Sequence, residues 1–322
     1  RAGVRGKPEA KILYYVMPHT PGNTPNMWRR MFYNAMGHGT KIFNLFEFDP
    51  VWAAYTENHT SDPAMYGMVL KTLREYGSFE DIVQTGRVRP AETGLWFSET
   101  GDIWNDNAGS FAAAKRTLYI AILNRQLPLD FIVEPDALDG TLNQYKLLYL
   151  ADRHVSQAAS KKIADWVRDG GRLFATAGAG MYDEYNRPNT VLRELMGIDK
   201  IELVTPPGID VVREKEDLPF AKPVQTVTWA VVNPTLSLKS TDGKPGFTPT
   251  KTLVMPFPVY GSYCKIERNT MDDALSLVGA FSDKSPAIFY HRAGRGRVLY
   301  CAFLPGLSYF KPAIPLRPAD RG

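Results

Sequence analysis

The chain has 322 residues, enough for one large domain or two ordinary ones, each with its own core. Hydrophobic residues make up 44% and aromatic residues 12%, which predicts a globular fold. The formal net charge of +4 comes from 38 basic and 34 acidic residues spread along the chain, so nothing indicates nucleic-acid binding. The longest apolar runs are far shorter than the roughly 20 residues of a membrane span, and we expect no membrane partner either.

The cysteines indicate no disulfide and no metal. Cys264 and Cys301 lie far apart without CxxC or Cys/His spacing, which favours two buried free thiols. No compact ligand motif such as HExxH is present, so we expect neither a metal nor another cofactor. The chain starts at Arg1 without an apolar signal segment and ends in a polar stretch, as a piece cut from a longer protein would. The compartment, cytoplasmic or exported, stays open.

The first segment predicts a βαβ unit. "KILYYVMPH" is an apolar run typical of a buried strand, and "NMWRRMFYNAMGHG" has a helical period closed by Gly37 and Gly39. "TKIFNLFEFDP" is a second buried strand, so the two strands are expected to be parallel. A further helix is predicted at about residues 64–76. One such unit cannot close a sheet by itself.

A second pattern begins at Pro90 and alternates strands with helices. The predicted strands are "TGLWFSE", "LDFIVEP", "YKLLYLAD" and "RLFATAG". The predicted helices are "NAGSFAAAKRTLYIAILNRQ", with Asn107 as its cap, and "SQAASKKIADWVRD", with Ser156 as its cap. This order predicts a flavodoxin-like, doubly wound parallel sheet.

The sequence pattern then changes to short runs in which apolar and polar residues alternate. Residues at about 200–280 are dense in Pro, Thr and Val, which indicates a β-rich insertion. "PAIFYHRAGRGRVLYCAFLPG" predicts two strands joined at "RAGRGR". A phosphate-binding loop is the other interpretation of that glycine-rich piece, but no helix follows it, which favours a hairpin tip.

These stretches together resemble family 42 glycoside hydrolases of the β-galactosidase type. The resemblance is carried by "GLWFSETGDIW", "LDFIVEPDAL", "YKLLYLADRHVSQAASKKIADWVRDGGRLFATAGAGMYDEYN" and "GRGRVLYCAFLPGLSYF". In that family a (β/α)8 barrel precedes a trimerisation domain with a class I glutamine amidotransferase-like fold. The resemblance implies barrel-terminal β/α units in residues 1–88, the trimerisation domain in residues 89–312, and a linker beginning in residues 313–322. It also implies a homo-oligomer, a trimer in that family.

The turn after "RLFATAG" occupies the position at which amidotransferases hold a nucleophilic Cys. Here the turn consists of Thr176, Ala177, Gly178, Ala179 and Gly180. Both cysteines come more than eighty residues later, so the sequence predicts no triad at this turn. Small residues there favour close packing or a tight turn.

The resemblance also says where glycosidase carboxylates would lie. Retaining enzymes need two of them about 5 Å apart, supplied in the family by the fourth and seventh barrel strands. No fourth strand is present here, and the match to the seventh ends at His19 rather than Glu, so we expect the chain alone to be inactive on glycosides. His19 and Glu47 are the catalytic candidates that remain, with Asp49 and Trp52 as candidate carbohydrate contacts at the end of a barrel strand. The structural interpretation is that Glu47 caps a turn or pairs with an Arg.

Polar side chains also follow the strands of the second pattern. Because parallel strands place their carboxyl ends at one edge, these side chains are expected to share a crevice that could hold a sugar or a cation. The candidate ligand-binding residues are Glu99, Trp104, Asp152, His154 and Asp183. Helix capping and salt bridging are the structural interpretation of the same residues.

Three functional hypotheses follow. The first is a portion of a glycoside hydrolase-like protein whose amidotransferase-like domain serves assembly or completes a substrate site. The second is a free-standing α/β hydrolase or amidotransferase-like enzyme that uses an atypical site such as Asp152, His154 and Glu99. The third is a carbohydrate-binding module with the β-rich insertion as its contact surface.

Overall fold

The computed structural model describes residues 2–7, 9–18, 24–45, 62–104, 110–205, 223–237, 246–268 and 276–310. The chain divides into two compact units, one within residues 1–90 and one within residues 91–316. In the ranges just given, no helix has both the length and the apolar composition needed to cross a membrane.

The first unit contains the predicted pair of parallel strands. Its strands and α-helices in the described ranges are β1 (Ile12–Tyr15), α1 (Pro25–Gly37), β2 (Thr40–Asn44), α2 (Pro63–Gly77) and α3 (Glu80–Thr85). β1 pairs with β2 in parallel, which confirms the βαβ prediction. Trp28 and Phe32 of α1 pack with Met65 and Val69 of α2 to form the core of this unit.

The second unit is a mixed α/β fold built on one large sheet. Its described strands and α-helices are β3 (Thr93–Trp96), α4 (Glu99–Trp104), α5 (Ser110–Asn124), β4 (Leu129–Ile132), α6 (Glu134–Leu138), β5 (Leu147–Leu150), α7 (Gln157–Arg168), β6 (Arg172–Ala175), α8 (Thr190–Leu195), β7 (Lys200–Val204), β8 (Gln225–Ser237), β9 (Gly246–Val259), β10 (Tyr263–Glu267), β11 (Ser276–Phe281), β12 (Pro286–Ala293), β13 (Gly296–Cys301) and α9 (Pro305–Phe310).

Nine of the described strands form the large sheet, in the order β4-β3-β5-β6-β13-β12-β11-β8-β9. The first five are mutually parallel. The remaining four are joined to them and to one another by antiparallel pairing. β8, β9 and β11 therefore continue the main sheet, while β7 pairs separately with β10.

Side chains of the parallel strands bury alternately on the two faces of the sheet. Trp96, Leu148 and Leu150 pack in the larger core, which includes Ile163 of α7. Leu95, which precedes Trp96 on β3, belongs to a separate cluster with Leu118 of α5. Successive strand residues point to opposite faces of a sheet. Because Leu95 packs with α5 and Trp96 packs in the core that includes α7, these two helices cover opposite faces of the sheet.

Two local predictions are confirmed. The Ser156 side chain caps α7 by accepting a hydrogen bond from the Ala159 backbone N–H at 3.3 Å. "RAGRGR" is the tip of the β12–β13 hairpin, in which Ala293 pairs with Gly296. The Arg295 backbone N–H donates to the Arg168 carbonyl at 2.8 Å, so the tip rests on the end of α7.

Candidate functional site

The turn after β6 is a tight, packed loop without a nucleophile at its apex. Gly178 has φ +74°, a conformation that favours glycine. Ala177 and Ala179 are fully buried, and the Ala177 N–H donates to the Phe303 carbonyl at 3.2 Å. Small residues thus allow the close packing that the sequence indicates.

The Cys264 thiol lies beside this turn. The sequence did not indicate this contact, because Cys264 comes more than eighty residues after the turn. Cys264 on β10 is fully buried, next to the Gly178 backbone and the Tyr300 hydroxyl. Burial raises the pKa of Cys264 to about 11. Because the thiolate is the reactive form, this buried, protonated thiol is not suited to nucleophilic attack. Cys301 is likewise a buried free thiol, so the prediction of two free thiols is confirmed.

Asp152, which follows β5, is the centre of a buried ion pair. Its carboxylate is 4% exposed and accepts a hydrogen bond from Lys115 Nζ at 2.9 Å. The backbone N–H of Ser98 donates to the other oxygen at 3.1 Å. Lys115 also reaches Asp102 on α4 at 3.2 Å, and its ammonium lies 4.2 Å from the centroid of the Phe97 ring. Burial raises the pKa of Asp152, and the charge of Lys115 opposes this.

His154 is held in an aromatic stack. Its ring lies 5.7 Å from that of Trp104 and 5.2 Å from that of Tyr182, centroid to centroid. His154 Nε2 lies 2.9 Å from Asn186 Oδ1, so the ring N–H donates to the amide oxygen. Burial lowers the pKa of His154, and the bond to Asn186 raises it in part. The imidazole is therefore neutral near pH 7 and is bonded to an amide rather than to a nucleophile.

Asp183 organises the loop on the other side of this stack. Its Oδ1 accepts hydrogen bonds from the backbone N–H groups of Tyr185 and Arg187, at 2.9 Å and 2.8 Å. Its Oδ2 accepts from Gln157 Nε2 at 2.8 Å. Burial raises the pKa of Asp183, but these donors outweigh it and hold the pKa below its usual value. All these partners favour a structural role for Asp183.

Hydrogen bonds, an ion pair and ring contacts connect the segments that carry four of the candidate residues. We name these four residues the rim cluster: Trp104, Asp152, His154 and Asp183. Trp104 touches His154 directly and donates its Nε1–H to the Glu184 carbonyl at 3.0 Å. Asp152 is joined to α4 through Lys115 and Asp102. Glu99 lies exposed in the first turn of α4. Four other candidates lie outside the described residues: His19, Glu47, Asp49 and Trp52.

Sequence reasoning missed Glu134, which begins α6. Its Oε1 accepts hydrogen bonds from Thr100 Oγ1 at 3.1 Å and from the Ser156 N–H at 3.2 Å. The sequence contained an indication of this role, because Glu134 comes two residues after the end of β4, as Asp152 comes two residues after the end of β5. Together these bonds tie the loops at the carboxyl ends of the strands to one another. No group of three or more potential metal-ligating side chains occurs in the part of the chain that the structure describes.

The fold is that of part of a GH42 β-galactosidase, so the predicted resemblance is confirmed for the fold. A GH42 β-galactosidase from G. stearothermophilus matches with a TM-score of 0.65 and 18% identity, over 91% of this chain and 41% of that one. The β-galactosidase from Bacillus circulans sp. alkalophilus gives 0.61 and 14%, over 91% and 42%. A β-galactosidase from the haloarchaeon Halorubrum lacusprofundi gives 0.60 and 15%, over 90% and 41%.

The chain thus spans about two fifths of the length of these solved structures. No protein-family model matches it, and a search of curated proteins finds no match.

Proposed function

We propose that this chain is a portion of a glycoside hydrolase-like, β-galactosidase-like protein. In this proposal, residues 89–312 form an amidotransferase-like domain that serves assembly or completes a substrate site and does not itself catalyse. The observation that most supports the proposal is a sheet of five parallel strands in which β6 is followed by a turn of small residues, where the resemblance would place a nucleophile. The turn is packed against its own domain, and the thiol beside it is buried.

Strand order supports the flavodoxin-like assignment of this domain. Numbered along the chain, the five parallel strands β3, β4, β5, β6 and β13 run 2-1-3-4-5 across the sheet. That is the flavodoxin-like order, and ligands or partners of such sheets approach at the carboxyl edge of the strands. The rim cluster lies at this edge.

The barrel assignment of residues 1–88 is supported by the β1–β2 pair. Leu13 of β1 pairs with Ile42 of β2, and these two side chains are 46% and 42% exposed. Strands of a (β/α)8 barrel are buried on both faces, so such an apolar surface is expected where further strands and side chains would cover it. The predicted start of a linker, residues 313–322, lies outside the described residues.

A homo-oligomer, a trimer by the same resemblance, is the proposed assembly, and carbohydrate is the proposed ligand of the whole protein. Trp104 is compatible with a carbohydrate contact, because its indole is 45% exposed although its ring is fixed by His154 and Glu184. The atypical-enzyme hypothesis has less support. Asp152 is bound to Lys115, which occupies its carboxylate. The second ring nitrogen of His154, Nδ1, is buried and has no hydroxyl or thiol bonded to it among the described residues, so no nucleophile is paired with a base there.

The purified chain is expected to give no turnover of nitrophenyl glycosides and none of glutamine. The physical reason is that a glycosidase needs a carboxylate pair and an amidotransferase needs an activated thiolate. Release of nitrophenol and of ammonia would be followed at neutral pH. Turnover that disappears in Glu47→Gln or in His154→Ala would contradict the non-catalytic assignment and favour an enzyme.

A further inference from the structure

A cleft of about 200 Å³ lies beside the turn that follows β6, and it shares Tyr182 with the aromatic stack on His154. It is bordered by the turn itself, by α8 and by β7. The lining residues that matter here are Met181, Tyr182, Arg193, Met196, Ile198 and Ile201. None of the described residues that line it is acidic.

Arg193 places a positive charge at the cleft, and none of the described residues forms an ion pair with it. Arg193 is half-buried as a residue, and its guanidinium makes no hydrogen bond or ion pair with the described residues. The Tyr182 hydroxyl makes no hydrogen bond with the described residues either. Asn189 is already occupied, because its amide donates to Ser160 Oγ and accepts from the Leu192 N–H. The Arg193 guanidinium and the Tyr182 hydroxyl are therefore two donors at the cleft, and a guanidinium without an acidic partner favours an anion.

The rest of the lining is apolar. Met196 and Ile198 are 2% and 4% exposed, and Met181 and Ile201 are partly buried. At roughly 30 Å³ for each water-sized group, the cleft has room for about seven heavy atoms. Drug-sized ligands need pockets of about 300–1,000 Å³, so only a small molecule fits.

We propose that this cleft binds a small organic monocarboxylate with a short apolar chain. The carboxylate pairs with the guanidinium fork of Arg193, a geometry that favours two parallel hydrogen bonds, and accepts a further bond from Tyr182. The apolar chain packs against Met196 and Ile198. This inference goes beyond the proposed function, since it requires neither carbohydrate nor self-association.

Butyrate is a suitable ligand because it has six heavy atoms, within the size limit above. The whole chain would be labelled with ¹³C in its methionine methyl groups, so that Met181 and Met196 report from the cleft. We expect saturable shifts of these two signals with butyrate and binding at least about tenfold weaker with the neutral amide, butyramide. Signals assigned by Met181→Leu and Met196→Leu identify the reporting groups.

Three variants test the role of the guanidinium. Arg193→Gln is expected to weaken butyrate binding by about tenfold or more, and Tyr182→Phe, which keeps the ring stacked on His154, by a few fold. Arg295→Gln removes an exposed charge paired with Asp169 and is expected to leave binding unchanged. If circular dichroism shows Arg193→Gln to be unfolded, Arg193→Lys keeps the charge but loses the fork and is expected to bind several-fold more weakly.

Four results would overturn the proposal. They are the absence of saturation with butyrate, equal binding of butyramide, unchanged binding in a folded Arg193 variant, and binding of inorganic phosphate that butyrate does not displace. The last result would mean a site for anions without recognition of the apolar chain. None of these results bears on glycosidase activity or on oligomeric state, so a failure here is distinguishable from failure of the proposed function.

Discussion

A chain carrying Lys115→Met is expected to lose about 3–5 kcal/mol of unfolding free energy near neutral pH. The methionine retains much of the apolar stem beside Phe97 but leaves the 4% exposed carboxylate of Asp152 without its cation. The Ser98 N–H is then the remaining donor described for that carboxylate, and one neutral donor does not replace an ion pair. Urea denaturation followed by circular dichroism measures the loss.

This loss has a definite pH dependence. Burial raises the pKa of Asp152 and Lys115 lowers it, so removal of Lys115 raises the folded-state pKa further. A carboxyl whose folded pKa exceeds its unfolded value contributes stability below the unfolded pKa and loses it as pH rises through the folded pKa. The deficit of Lys115→Met is therefore expected to be smallest in acid and to grow as pH rises.

Asp102→Asn is the matched control for Lys115→Met. Asp102 is the other carboxylate partner of Lys115 but is 46% exposed, so its loss is expected to cost no more than about 1 kcal/mol. Equal losses in the two variants, or a Lys115→Met deficit that deepens as pH falls, would contradict the account of a buried pair.

Gly296→Ala is expected to cost about 3 kcal/mol or more, because the added methyl would meet backbone rather than a movable side chain. Gly296 begins β13, and a Cβ there would overlap the carbonyl oxygens of Val167 and Gly171. Relief requires the β12–β13 hairpin to separate from the end of α7. Thermal and urea unfolding both measure the effect.

Gly140→Ala provides the comparison within the same unit. Gly140 has φ +89°, and its nearest neighbour to an added Cβ is Asn143 Nδ2 at 3.6 Å, an ordinary contact. Its replacement is expected to cost only the about 1–2 kcal/mol of an unfavourable backbone conformation. A Gly296→Ala chain as stable as Gly140→Ala would show that the hairpin does not press on α7 as described.

Local patterns in the sequence predicted the elements that local physics determines. The apolar run "YKLLYLAD" became β5 and the Ser156 cap began α7, because burial period and capping chemistry act within a few residues. The hairpin tip at "RAGRGR" was predicted from the missing helix after it and is confirmed.

Contacts between distant segments could not be predicted in this way. The pairing of Lys115 with Asp152 joins α5 to the end of β5, and no local pattern in either segment specifies the partner. Helix α4 was not predicted because its six residues are too few to show a helical period. The sequence predicted that residues 200–280 are rich in β-strands. It could not predict that β11, β8 and β9 extend the main sheet beyond β12, because that pairing depends on which strand edge the folded domain leaves open.

The proposal that residues 89–312 form a domain that serves assembly is tested most directly by the mass of the chain in solution. Light scattering after size-exclusion chromatography would be measured over a wide range of loading concentrations. We expect self-association, with a mass of about three times the 36.1 kDa of one chain. A mass of 36.1 kDa at every concentration would contradict it.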